Sequence, residues 1–213
     1  MPVKVKVCGV TDPANAAAAV ELGADFLGLN FYPRSPRYLE VGRALEIVGA
    51  VAGRVPLVGV FVNAPAGEVE EIAGRVGLDL LQFSGDEGPE AIARFTPRAI
   101  KAFRTAGMPR REEVVAYGAV WGVLVDAAHG SLYGGTGAAW DFASAAAGAA
   151  ELPARLFLAG GIGPENARQA VAGVRPYALD VCSRVESAPG IKDLGLLRRL
   201  FEEVRHGETQ TPP

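Results

Sequence analysis

The stretch Lys4–Pro13, KVKVCGVTDP, changes its period halfway along. Val3, Val5 and Val7 alternate with Lys4, Lys6 and Cys8, the two-residue repeat of a β-strand. Thr11 and Asp12 then place side-chain oxygens just before Pro13, a helix start with a capping residue and a proline in the first turn. Cys8 therefore stands where a strand stops and a loop leads into a helix. In α/β proteins that is where ligands bind.

The same unit recurs along the chain. An alanine-rich helical stretch, ANAAAAVELG, leads to a strand at Asp25–Phe31. Further strand-like runs lie at Pro56–Val62, Asp79–Phe83, Ala99–Phe103, Trp121–Asp126, Arg155–Gly160 and Tyr177–Cys182. Segments of helical period separate them: Gly42–Ala52, Gly67–Val76, Pro89–Phe95, Arg110–Tyr117, Phe142–Ala149, Pro164–Val174 and Leu194–Val204. Strict alternation favours a parallel sheet, because each parallel return needs a crossover. No break in composition divides the 213 residues. The expected fold is α/β, a single (β/α)8 TIM barrel over residues 1–206, with 207–213 as a frayed polar tail. The competing doubly wound sheet would need edge strands, and no run carries the charges or proline that mark one. On a barrel, active sites gather at the C-terminal ends of the strands. The two longest connections, Phe31–Val41 and Ala127–Ala139, both follow strand ends.

Bulk properties exclude several classes of partner. A net charge of −3 offers no basic field for nucleic acid and no polybasic face for a membrane. No apolar run follows a basic N-terminus and none approaches the roughly 18 residues of a membrane helix, so neither a signal peptide nor a span is expected. Cys8 and Cys182, the only cysteines, are too few for a disulfide scaffold, which makes a reducing cytoplasm the expected location. With His129 and His206 alone, a histidine-rich metal centre cannot be built, and no metal is expected. Abundant Ala, Gly, Pro and Arg fit a heat-adapted or a GC-rich source. In the heat-adapted case a homodimer is the expected assembly, association being one common stabilising route.

Several residues can carry chemistry. In LAGGIGPENA (Leu158–Ala167), Gly160 and Gly161 let a ligand approach bare backbone, although glycines also serve plain strand–helix turns. Position adds weight, because this loop follows the seventh strand and the eighth is followed by SRVESAPGIKD, which is expected to form a short extra helix. Loops after strands seven and eight form the recurring barrel phosphate site, so a phosphorylated small-molecule substrate is expected. Asp126 ends the apolar strand WGVLVD and precedes a glycine-rich loop rather than a helix, so it reads either as a loop anchor or as a general acid. Asp180 and Cys182 take the inward positions of ALDVC. Cys8 reads as a small buried hydrophobe or, beside the inward Lys6, as a thiolate base. Arg37, just after the prolines Pro33 and Pro36 that stiffen its segment, is either a solvated loop charge or a fork for a carboxylate. Lys101 and Arg104 are weaker candidates. His129 reads as a loop residue, and Trp121 and Trp140 as packing.

In order, KVCGVT, GADFLGLNFYPRSPRY, VGVFVN, LLQFSGDE, LVD…GGTG…WDF, LAGGIGPENA and DVCSRVE…PGIKD resemble the phosphoribosylanthranilate isomerase family. The resemblance runs from about Val5 to about Phe201. It implies an Amadori rearrangement without cofactor, with Cys8 as general base and Asp126 as general acid. It also implies Arg37 at the anthranilate carboxylate, and Gly160, Gly161 and the Ser183 region at the phosphate; Asp180, inward on the eighth strand, and Arg184, beside the phosphate loop, are further candidates for holding substrate. Two positions depart from the family pattern: Ser84 stands where His is usual, and Arg184 where a small residue is common. The competing expectations are another phosphosugar barrel, such as a ribulose-phosphate 3-epimerase, and a non-catalytic barrel that binds phosphate ligands. The first is usually served by a metal held by His and carboxylates, which two histidines serve poorly. The second has no need of a strand-end Cys and Asp together.

Overall fold

The computed structural model describes residues 1–105, 107–127 and 140–209. The glycine-rich loop read after Asp126, with His129, lies outside the described residues apart from Ala127. The barrel strands are β1 (Lys4–Cys8), β2 (Phe26–Asn30), β3 (Leu57–Phe61), β4 (Leu80–Phe83), β5 (Ala99–Arg104), β6 (Gly122–Asp126), β7 (Arg155–Ala159) and β8 (Ala178–Val181). The helices that return the chain are α1 (Pro13–Leu22), α2 (Val41–Val51), α3 (Ala66–Val76) and α4 (Pro89–Ala93). They continue with α5 (Arg111–Val115), α6 (Phe142–Ala150), α7 (Ala167–Val174) and α8 (Leu194–Thr209). All neighbouring strands run parallel, and β8 pairs back onto β1, with Lys6 level with Asp180 and Val7 with Val181. The result is a closed (β/α)8 barrel with no exposed edge.

The two-residue period divides each strand between two cores. Val5, Val7, Leu27, Leu29, Val123, Val125, Leu179 and Val181 point outward and pack against the helices. Phe26, Val58, Leu80, Ile100, Leu124, Phe157 and Ala178 fill the barrel. Trp121 stands edge-on to both Phe26 and Tyr177 at the barrel floor, which makes it a packing residue. Trp140 is buried too and donates its indole N–H to the Ala159 carbonyl at 2.7 Å. Helix α1 begins as its sequence requires, since the Asp12 carboxylate accepts from the Asn15 amide at 2.8 Å and Pro13 opens the first turn.

Three local expectations are corrected. SRVESAPGIKD forms only one 3-10 turn, Ser183–Val185, followed by an antiparallel hairpin of β9 (Glu186–Ala188) and β10 (Ile191–Lys192). Pro189 and Gly190 turn that hairpin, with Gly190 at φ +86° and so tight on Thr11 that a Cβ would meet its Oγ1 at 2.5 Å. Helix α7 starts at Ala167 rather than Pro164, because Asn166 first ties the loop, accepting from Gly163 N and donating to Gly161 O. Helix α8 runs to Thr209, past the expected start of the tail at 207. Gly207 is buried and the Glu208 carboxylate accepts from Val3 N at 2.6 Å, so this turn is anchored.

Candidate active site

A cavity of about 380 Å³ opens at the C-terminal ends of the strands. The side chains that end the inward rows meet there: Cys8 from β1, Asn30 from β2, Gln82 from β4, Arg104 from β5 and Asp126 from β6. A volume of that size suits a small organic ligand. Between β7 and β8 lies a narrower groove of about 60 Å³, lined by Gly160, Gly161, Ser183 and Arg184. Asp126, Asp180, Cys182 and Ser183 line both spaces, so cavity and groove form one site.

Glycines make the room. Gly28 lies level with Cys8 on the neighbouring strand, and a Cβ there would meet the Cys8 sulfur at 2.7 Å. Gly9 sits at φ +70°, and a Cβ on it would strike Arg37 Cδ at 2.5 Å. That is why glycine directly follows Cys8. In the groove Gly160 and Gly161 take φ +82° and +67°, a region that side chains avoid.

Charge surrounds Cys8. The Lys6 ammonium, wholly buried one inward step below, contacts Asp180 Oδ1 at 2.6 Å. Burial works against that cation, but Asp180 and Cys8 together hold it firmly protonated. Burial pushes the Asp180 carboxyl up to about 7 against the pull of Lys6, with Cys8 and Asp126 adding negative charge nearby. The Cys8 thiol lies well below the ordinary thiol range. A hydrogen bond with Cys182 is the largest cause, Lys6 and Lys192 assist, and burial opposes. The Cys182 thiol is correspondingly raised, by that same bond and by burial. These neighbours favour the thiolate form of Cys8 over the neutral thiol.

Arg37 lines the cavity, but its guanidinium is engaged by Glu186. Nε lies 2.9 Å from Oε1, and Nη2 lies 2.6 Å from Oε2. Glu186 also accepts from Lys192 Nζ at 2.7 Å. These contacts, led by burial that opposes them, leave the Glu186 carboxyl below its usual range. The weaker candidates part company: Arg104 faces the cavity, while Lys101 is buried beside Glu87 Oε2 at 3.1 Å and outside the cavity lining. Ser84 lines the cavity and accepts from Gln82 Nε2 at 2.9 Å.

Sequence reasoning missed Glu186, Lys192 and Gln82. The inward parity of Gln82 in LLQF was a usable signal. The pairing of Arg37 with Glu186, 149 residues apart, had none. Among the described residues, no group of three or more His, Cys, Asp or Glu is arranged to hold a metal ion, and no helix is long and apolar enough to cross a membrane.

Residues 5–203 match the family model for N-(5'-phosphoribosyl)anthranilate (PRA) isomerase. The chain is 44% identical to the N-(5'-phosphoribosyl)anthranilate isomerase of Myxococcus xanthus, covering 96% of this chain and 97% of that protein. Its fold overlays the phosphoribosyl anthranilate isomerase of Thermotoga maritima with a TM-score of 0.86 and 32% identity, covering 95% and 98% of the two chains. It also overlays a phosphoribosyl anthranilate isomerase in complex with reduced 1-(o-carboxyphenylamino)-1-deoxyribulose 5-phosphate, with a TM-score of 0.81, 32% identity and the same coverage.

Proposed function

The chain belongs to the N-(5'-phosphoribosyl)anthranilate isomerase family, and we propose that it catalyses the Amadori rearrangement of N-(5'-phosphoribosyl)anthranilate to 1-(2-carboxyphenylamino)-1-deoxyribulose 5-phosphate in tryptophan biosynthesis. The observation that carries this reading is one cavity lined by both Cys8 and Asp126 and continuous with a glycine-lined groove. The groove suits a phosphate, which accepts from backbone N–H groups and from cations such as Arg184. The wider cavity suits the aromatic end, with Arg37 and Arg104 as the cations nearest its carboxylate.

The chemistry is one proton in and one proton out. Asp126 gives its proton to the furanose ring oxygen, the C1–O bond breaks, and the amine lone pair closes a C=N⁺ bond. The Cys8 thiolate then takes the proton from C2, and its electron pair flows into the iminium to give an enolamine. Transfer of the C2 hydroxyl proton to C1 completes the ketone. The substrate contributes the nitrogen that accepts electrons, so this route calls on neither a Schiff-base lysine nor a cofactor. Lys6, and Lys192 from the β-hairpin after β8, add to the preference of the base for its anionic form.

The proposed setting is the cytoplasm. The proposed assembly is a homodimer, supported by the dimeric isomerase of Thermotoga maritima. Sedimentation at micromolar concentration tests the assembly, and a monomer-sized species alone would refute it. Activity is tested by loss of substrate fluorescence in the presence of EDTA, which also separates this reading from a metal-dependent epimerase or a binding protein.

A further inference from the structure

Cys8 ends β1, and Cys182 directly follows β8, the strand that closes the barrel onto it. Register pairs Lys6 with Asp180 and Val7 with Val181. Cys8 and Cys182 each come one residue further, with the inward parity of their strands, and neighbouring strands lie about 4.8 Å apart. The Cys182 sulfur rests against the strand end at Gly9, where a Cβ would stand 3.2 Å away, and both cysteines line the cavity.

The other acceptor for the Cys182 thiol proton is Glu186, across a long and crowded contact. Glu186 Oε1 lies 3.9 Å from the sulfur, and that oxygen already accepts from Lys192 Nζ at 2.7 Å, Arg37 Nε at 2.9 Å and Gly190 N at 3.1 Å. Lys192 Nζ, also 3.9 Å from the sulfur, is a donor and does not compete for the proton. We infer that Cys182 is a positioning residue for the proposed base, its thiol donating to the Cys8 sulfur and orienting it toward the cavity.

This rests on the reading of Cys8 as base. The charged groups that face the pair are Lys6 and Asp180 beneath, Glu186 and Lys192 from the β9–β10 hairpin, Arg37 from the loop after β2, and Asp126 from β6. They remain in place when Cys182 changes. A hydrogen bond to a charged group is strong enough for its loss to move the titration of Cys8 upward by about one to two pH units.

The chain has two cysteines, so a Cys182 variant leaves Cys8 as the sole thiol. The experiment follows thiolate absorbance against pH without substrate, and kcat/KM against pH with it, in wild type, Cys182→Ala, Cys182→Val and Cys182→Ser. Val also lacks a donor but fills the space, so the comparison survives if Ala disturbs the fold. Ala and Val are expected to shift both the thiolate midpoint and the acidic limb of kcat/KM upward together, and Ser, which keeps an O–H donor, to restore both. A thiolate midpoint unmoved in Ala and Val would overturn the inference. A midpoint that shifts while the acidic limb stays would overturn Cys8 as the base, and the inference with it.

Discussion

Lys6 and Asp180 form a buried ion pair across the seam where β8 meets β1, Nζ to Oδ1 at 2.6 Å. The pair lies one inward step beneath Cys8 and Cys182. It therefore joins the closure of the barrel to the charge of the proposed base.

Removing one partner strands the other. Lys6→Met should destabilise the fold by about 3–5 kcal/mol, because Asp180 is left buried without its cation. Urea unfolding measures this, and a loss below about 1 kcal/mol would mean that water replaces the ammonium. The Cys8 thiolate also loses a supporting cation, so the acidic limb of kcat/KM should move to higher pH.

Gly28→Ala tests the space around the base. Its methyl would meet the Cys8 sulfur at 2.7 Å and the Cys8 Cα at 3.0 Å, so the strand end must shift. Overpacking of this kind costs about 1–3 kcal/mol. The expected result is a folded protein of lowered Tm, with kcat reduced more than substrate affinity. Unchanged kcat would show that the sulfur has room to move.

The groove between β7 and β8 should behave as an anion site. Inorganic phosphate or sulfate is expected to compete with substrate, and Gly161→Asp to raise KM sharply by adding a like charge. Gly160→Ala should harm kcat as well, since its methyl would crowd Asp126 Oδ1 at 2.6 Å at a φ of +82°. Phosphate inhibition that is not competitive would place the anion elsewhere.

The two cysteines also predict sensitivity to oxidation. A hydroperoxide removes two electrons and two protons from the thiols, giving a Cys8–Cys182 disulfide, water and an alcohol. Neighbouring strands lie within the Cα separation a disulfide accepts, about 4.4–6.8 Å. Inactivation should reverse with dithiothreitol, and reversible loss should be absent in Cys182→Ser. Mass spectrometry that finds sulfinic acid at Cys8 in both proteins would discard the disulfide.

Much of this architecture was legible because barrel strands repeat one pattern. Valines alternate with Lys6 and Cys8, and the same parity carries Asp126 and Asp180 inward. The hairpin after β8 was not legible as a hairpin, because Pro189-Gly190 marks a turn without naming the strands it joins. Nor does local sequence reveal that Glu186 occupies the Arg37 fork, since that pairing is made only when the barrel closes. The start of α7 slipped because the Asn166 side chain competes with the helix for backbone partners.

The acid–base pair is the centre of the account. Wild-type kcat/KM should fall at low pH as Cys8 is protonated, at a pH below the ordinary thiol range because Cys182, Lys6 and Lys192 favour the thiolate over burial. It should fall again at high pH as the acid loses its proton. These apparent values belong to the pair.

The most direct test follows the fluorescence of N-(5'-phosphoribosyl)anthranilate in EDTA with wild type, Cys8→Ser and Asp126→Asn, checking fold by circular dichroism and product binding by calorimetry. Wild type is expected to turn over, and each variant to lose about 10²–10⁴-fold or more in kcat with fold and product binding kept. Absence of turnover in folded wild type would contradict the activity, and near-wild-type turnover in either variant would remove that residue from the mechanism.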